Sequence, residues 1–258
     1  MEIPIKIQEM IAEKCGNPSN IGLSGASVYI YDDIVLKIQP INAESEREFA
    51  MLCWLSDKLP VPQVIEHAKT NKLSYLLMEK CSGEMACSER YMLNPKYQSE
   101  LLAAALHDLW QVNWCDCPHW STLDYKLKQA EYNIINGLVD VDDLEPDTYS
   151  EFKDPEALLY WLQNNRPNEE LAISHGDFCL PNIIFNNGAL SGLIDLGRSG
   201  IADKWCDIAL CYRSVKDNFS GRYHRKWTGY SDYYLFEALQ IKPDWEKMRY
   251  YILLDELF

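Results

Sequence analysis

Residues 174–200 read S-H-G-D-F-C-L-P-N-I-I-F-N-N-G-A-L-S-G-L-I-D-L-G-R-S-G. Two apolar runs, Ile183-Ile184-Phe185 and the stretch from Leu190 to Ile194, flank Asn186-Asn187-Gly188. Asn-Gly between short apolar runs is a strong β-hairpin signal, because the tight turn needs positive φ at its centre. Such a hairpin brings Asn182, at its start, close to Asp195, at its end. Asp177 precedes Asn182 in a D-x4-N spacing. Two oxygen ligands beside a further carboxylate suit a hard divalent cation next to a nucleophile-orienting group, as phosphoryl transfer requires. An ordinary surface hairpin has the same local pattern. The joint spacing of Asp177, Asn182 and the apolar-flanked Asp195 favours chemistry over that reading.

The rest of the composition narrows the class. A chain of 258 residues, 47% hydrophobic, can bury a sizeable core as one domain or two unequal lobes. Its 39 acidic and 24 basic residues leave a net charge of −15, which argues against nucleic acid and against anionic membrane surfaces as partners. Nine cysteines are scattered without a C-x-x-C pair, the pattern of reduced thiols in a cytoplasmic protein. Cys115-Asp116-Cys117-Pro118-His119 lacks a second ligand cluster at zinc spacing and reads as a loop. Glu2, Lys6 and Glu9 break the first ten residues, so no signal peptide is expected there, and no apolar run approaches the length of a membrane span.

Along the chain, residues 3–15 have helical periodicity, and residues 21–38 read as strand, Gly-Ser turn, strand, turn and strand. The small-residue link Gly22-Leu23-Ser24-Gly25-Ala26-Ser27 offers backbone N–H groups to a phosphate, or makes a plain hairpin turn. Lys37 interrupts an apolar, β-branched strand, where a buried ammonium needs a partner. Helix 44–58 carries Glu46 and Glu48 and can supply one; an edge lysine reaching solvent is the alternative. Leu59-Pro60-Val61-Pro62 ends that helix, and strands follow at 63–67 and 73–78. The polar, glycine-containing stretch 79–83 marks a boundary between an N-terminal lobe, 1–80, and a C-terminal lobe, 81–258. Beyond it, helices are expected at 96–113, 123–138, 155–164 behind an Asp154 cap with Pro155 at its first position, 203–215, the second half of 219–239, and from Pro243 onward. The acidic run Asp140-Val141-Asp142-Asp143-Leu144-Glu145-Pro146-Asp147 fails as an EF-hand and reads as a solvated loop or a rim that attracts a polycation. The apolar C-terminus points to docking against the body of the protein.

A small-residue loop, a strand lysine, a helix glutamate, a polar hinge, D-x4-N and a metal-type aspartate occur in the order used for kinase phosphoryl transfer. No G-x4-G-K-[ST] is present, which excludes a Walker-type nucleotide site. His175-Gly176-Asp177 with Asn182, and Ile194-Asp195-Leu196-Gly197-Arg198-Ser199-Gly200, resemble the aminoglycoside phosphotransferases, most of all the 3'-phosphotransferases that inactivate kanamycin and neomycin. Trp54-Leu55-x-x-Lys58-Leu59-Pro60-Val61-Pro62, Phe152-Lys153-Asp154-Pro155, Ala202-Asp203-Lys204-Trp205 and the last eighteen residues are similar too, so the likeness spans nearly the whole chain.

The resemblance implies an α+β, protein-kinase-like two-lobed fold, strand-rich then mainly helical, with magnesium and ATP (or GTP) between the lobes. It implies Asp177 as the catalytic base, Asn182 and Asp195 as magnesium ligands, and Lys37, paired with Glu48, on the nucleotide phosphates, with Ser24 beside them. It implies an aminoglycoside whose ammonium groups meet Asp147, Asp217, Asp255 and Glu256, with Arg198 and the Phe258 carboxylate nearby. Val35 stands where relatives place an aromatic residue two positions before the lysine, which bears on the choice between ATP and GTP. Residues 218–227, with Arg222, His224, Arg225 and Lys226, look inserted and are locally basic. Besides a resistance enzyme acting on the 3'-hydroxyl, a kinase of another amine-bearing metabolite, choline-like or an amino sugar, and a non-catalytic nucleotide-binding relative are the alternatives.

Overall fold

The computed structural model describes residues 3–12, 14, 17–19, 26–140, 151–223 and 225–258. Ser24 and Asp147, and with them the phosphate-loop and acidic-run expectations, lie outside the described residues. The chain divides into two compact units, the first made of residues 1–85 and 182–199, the second of 86–181 and 200–258.

The first unit is built on a five-stranded antiparallel sheet. Its strands are β1 (Asn17–Ser19), β2 (Ser27–Ile30), β3 (Ile34–Pro40), β4 (Val64–Lys69) and β5 (Leu73–Glu79), in the order β1-β2-β3-β5-β4. Alternate residues of a strand face opposite sides. In β3, Ile34, Leu36 and Ile38 join Ile7, Tyr31, Tyr75 and Leu77 in one apolar cluster, with Ile7 supplied by helix α1 (Ile5–Ile11). Val35, Lys37 and Gln39 therefore present the opposite face, and both Lys37 and Gln39 bond to Glu48 of helix α2 (Ala43–Leu55). Asn42 and Ser45 start α2 with reciprocal capping bonds, and Glu44 and Glu46 in its first turn suit the positive end of the helix dipole. The unit also holds a three-stranded sheet, β6 (Glu84–Met85) with β8 (Ile183–Asn186) and β9 (Ala189–Leu193).

The second unit is mainly helical: α3 (Glu89–Met92), α4 (Pro95–Trp110), α5 (Leu123–Ile135), α6 (Pro155–Asn164), α7 (Lys204–Ser220), α8 (Tyr234–Leu239) and α9 (Trp245–Asp255). One antiparallel pair, β7 (Leu171–Ser174) and β10 (Gly200–Asp203), crosses it, with Ser174 opposite Gly200. Asp154 caps α6 through the Ala157 N–H at 2.8 Å, as the Asp-Pro pair predicts. The core gathers Leu102, Leu106, Leu109, Ile208, Leu254 and Leu257, each 2% exposed or less. Leu257 is wholly buried and its carbonyl accepts a bond from Asn133 at 2.8 Å, so the C-terminus is docked.

Several boundaries differ from expectation. Helices expected at 3–15, 44–58 and 123–138 end at Ile11, Leu55 and Ile135, the last just before Gly137 at φ 63°. The helix expected over 203–215 continues to Ser220 and closes on Gly221 at φ 91°. The start of the segment read as an insertion is thus the last turn of α7. The eight described cysteines are free thiols. Among the described residues, no helix is long and apolar enough to cross a membrane.

Candidate active site

Lys37 is the centre of the first unit's polar group. Its ammonium donates to Glu48 Oε1 and to Asp195 Oδ1, both at 2.9 Å. Lys37 and Glu48 are nearly enclosed, with side chains 9% and 3% exposed, whereas Asp195 is 44% exposed. Burial disfavours the ammonium, but the two carboxylates outweigh it and hold Lys37 above the ordinary lysine value. Burial pushes the Glu48 carboxyl up, with Lys37 pulling against it and Asp195 adding to it. Gln39 satisfies the second Glu48 oxygen at 2.8 Å. A buried ion pair is tolerated when its remaining polar sites are bonded, as the second Glu48 oxygen is by Gln39.

The hairpin forms as its sequence dictates. Asn187 and Gly188 take φ 50° and 79° at the turn between β8 and β9. The Ile194 N–H donates to Asn182 O at 3.0 Å, which places the Asn182 backbone beside the residue that precedes Asp195. Asp195 itself adopts the left-handed conformation, φ 62° and ψ 59°, ahead of a tight 3-10 turn at Leu196–Arg198. A non-glycine residue there stores on the order of 1 kcal/mol of strain, kept because surrounding contacts over-determine it. Carboxylate and amide oxygens fit magnesium, which takes few protein ligands and fills its sphere with phosphate and water. Among the described residues no cluster of three or more His, Cys, Asp or Glu could hold a metal.

Asp177 lies in the second unit, on the loop after β7. The base of that loop is a buried carboxylate, Asp207 of α7. Asp207 accepts from Ser174 Oγ, His175 N and Gly176 N, each at 3.0 Å. Burial raises the Asp207 carboxyl, and His175 and the three donors oppose that shift. The Asp177 N–H donates to His175 Nδ1 at 3.3 Å and its carbonyl accepts from Cys179 at 2.9 Å. Further along, Leu180 N–H donates to Ser214 Oγ of the same helix at 2.9 Å. Helix α7 therefore carries the scaffold for Asp177. Sequence reasoning missed Asp207, whose one signal is a carboxylate embedded in the apolar stretch Trp205-Cys206-Asp207-Ile208-Ala209-Leu210.

The other candidates fall into separate groups. Arg198 lies in the first unit and donates to Glu44 of α2 at 3.1 Å. In the second unit, Arg213 of α7 bonds to Asp255 and, at 3.4 Å, to Glu256. Those two carboxylates and Asp177 hold the Arg213 guanidinium above its ordinary pKa against the opposing effect of burial. Asp217, one turn after Arg213, pairs with Arg222 at 3.4 Å. Phe258 follows Leu257, with its N–H on Asp255 O at 3.1 Å. Asp217, Asp255 and Glu256, expected to receive a cation, thus already carry internal guanidinium partners, a feature that residue counts along the sequence do not reveal. Arg225, from the basic segment, stacks 3.7 Å over Trp227 and pairs with Glu89.

The antiparallel sheet, the strand lysine shared by a helix glutamate and a turn aspartate, and the helical second unit define a kinase-like phosphotransferase fold. A model of the phosphotransferase enzyme family matches residues 18–251, and the chain belongs to that family. An aminoglycoside 3'-phosphotransferase of Enterococcus faecalis is 38% identical to it, over 100% of this chain and 99% of that protein. One from Staphylococcus aureus is 37% identical at the same coverage. The crystal structure of an aminoglycoside 3'-phosphotransferase of type VIII matches with a TM-score of 0.78 at 26% identity, covering 94% of each chain.

Proposed function

We propose that this chain transfers the γ-phosphoryl group of a nucleoside triphosphate to the 3'-hydroxyl of an aminoglycoside and so confers resistance to it. The observation that carries the reading is the Lys37 ammonium held between Glu48 and Asp195 at 2.9 Å. The full-length likeness to relatives named for that reaction supports the choice of acceptor.

Each residue then has a task. Lys37, oriented by Glu48, presents positive charge to the nucleotide phosphates. Asn182 and Asp195 would hold magnesium, which when bound supplies neutralisation of phosphate charge. Asp177 accepts the proton of the attacking 3'-hydroxyl and orients its oxygen. Asp217, Asp255 and Glu256 receive ammonium groups of the acceptor, Arg213 and Arg222 fixing their directions in the meantime. Arg198, the Phe258 carboxylate, Ser24 and Asp147 complete the reading as acceptor-side and phosphate-side residues. ATP or GTP serves as donor, with the aliphatic Val35 in the place of a stacking ring. The free thiols and the need for a nucleoside triphosphate fit the cytoplasm.

Steady-state kinetics with kanamycin and magnesium ATP test the assignment, and absence of turnover with every 3'-hydroxyl aminoglycoside refutes it. Asp177→Ala is expected to lower kcat by on the order of 10²-fold or more. A change confined to nucleotide affinity would remove Asp177 from the role of base. Resistance of an expressing strain to drugs bearing a 3'-hydroxyl, and sensitivity to drugs lacking it, would fix the regiochemistry.

A further inference from the structure

Asp195 keeps its left-handed backbone between two anchors. On one side is the Ile194 N–H bond to Asn182 O at 3.0 Å. On the other is the turn Leu196–Arg198, closed by Ser199 N–H on Leu196 O at 3.1 Å. Helix α2 grips that turn at more than one residue. Arg47, 6% exposed, donates from Nη1 to Ser199 O at 3.4 Å. Glu44, three residues earlier, accepts from Arg198 at 3.1 Å. Gly197 lies so close that a Cβ there would sit 3.2 Å from Glu44 O. Positions 44, 47 and 48 share one face of α2, and Glu48 adds the contact through Lys37 that it shares with Asp195.

We infer that Arg47 is a positioning residue for the phosphoryl transfer: from α2 it fixes the far end of the turn that follows Asp195 and so aims that carboxylate at the divalent cation. The inference rests on the reading of Asp195 as a metal-holding residue. Arginine suits the task because its planar guanidinium is always charged and sets its donors in a rigid fork, whereas lysine offers a rotating point charge. Burial fixes the fork, and the Ser199 carbonyl is where the turn hands over to β10. Arg47 and Glu48, adjacent on α2, thereby tie the turn after Asp195 and the Lys37 ammonium to one helix.

Binding of Mn²⁺ to the ADP-loaded protein, followed by the free-ion electron paramagnetic resonance signal, separates the possibilities. Arg47→Met is expected to weaken Mn²⁺ on the order of tenfold, the usual effect of removing a residue that orients a metal ligand, while KM for kanamycin stays within about twofold. Arg47→Lys should lose about threefold, keeping charge without the fork. Asp195→Asn is the control for the underlying reading and should lose more than either. Unaltered Mn²⁺ affinity in Asp195→Asn overturns the metal reading itself. Impaired Asp195→Asn with unaltered Arg47→Met overturns the role of Arg47 alone, as does a parallel loss of Mn²⁺ and kanamycin affinity in Arg47→Met. Where Arg47→Met fails to fold, Arg47→Lys decides, and wild-type Mn²⁺ affinity in it overturns the role.

Discussion

The Lys37 ammonium bonds both Glu48 and Asp195. Removing it leaves a buried carboxylate at Glu48 facing a second at Asp195, with Gln39 as a neutral donor to the first. Lys37→Met is expected to destabilise the protein by about 3 kcal/mol in denaturant unfolding, the scale of breaking a buried pair by deleting one partner. If Lys37 faces the nucleotide phosphates as proposed, the same change should lower kcat by ~10²-fold. Adding Glu48→Gln should return part of the stability and none of the activity, and full additivity of the two changes would show that the pair is not coupled. At this scale the sequence was informative about Lys37, since a cation inside Ile34-Val35-Leu36-Lys37-Ile38 must be paired or edge-exposed. It could not show that the ammonium is shared, because Asp195 lies far along the chain and only folding brings it to β3.

The hairpin and helix α7 show what elements add. The turn Asn187-Gly188 and its flanking apolar runs were legible, because both positive-φ positions carry residues that favour them. The support for Asp177 was not legible, because it comes from a helix about thirty residues downstream whose Asp207 points inward among apolar neighbours. Asp207→Ala would remove the buried acceptor that Ser174 Oγ, His175 N and Gly176 N share, and is expected to cost about 1–3 kcal/mol. The milder Asp207→Asn keeps an acceptor and is expected to fold while lowering kcat about tenfold, with KM for the nucleotide nearly unchanged. An equal change in both constants would place Asp207 outside the support of Asp177.

Over the molecule, charge and pH decide how the second unit holds together. Glu170 accepts from Lys204 at 2.7 Å and from Trp205 Nε1 and Lys247, while Lys247 and the Tyr251 hydroxyl reach the buried Asp203. The bond from Lys204 leads the effects that hold the Glu170 carboxyl down at about 2, against an ordinary 4.5. The folded state therefore binds this proton less readily than the unfolded state. Its stabilisation is complete above pH ~4.5 and disappears as pH falls toward ~2. The group is half exposed, so solvent screening reduces the effect. The melting difference between wild type and Glu170→Gln is expected to shrink steadily between about pH 5 and pH 3, and a constant difference would exclude Glu170 from acid unfolding.

The sequence by itself determined the hairpin and the helix capped by Asp154, because these rest on turn chemistry and local periodicity, and it singled out Lys37, Asp177, Asn182 and Asp195 as candidates by their spacing, while the α+β class came with the family resemblance. Tertiary structure alone decided which charges meet: Lys37 with Asp195, Asp207 beneath the Asp177 loop, Arg213 on Asp255 and Glu256, and Arg47 on Ser199. The physical reason is that desolvation and hydrogen bonding depend on three-dimensional neighbours, and a charged residue reads the same along the chain whether water or a buried partner receives it.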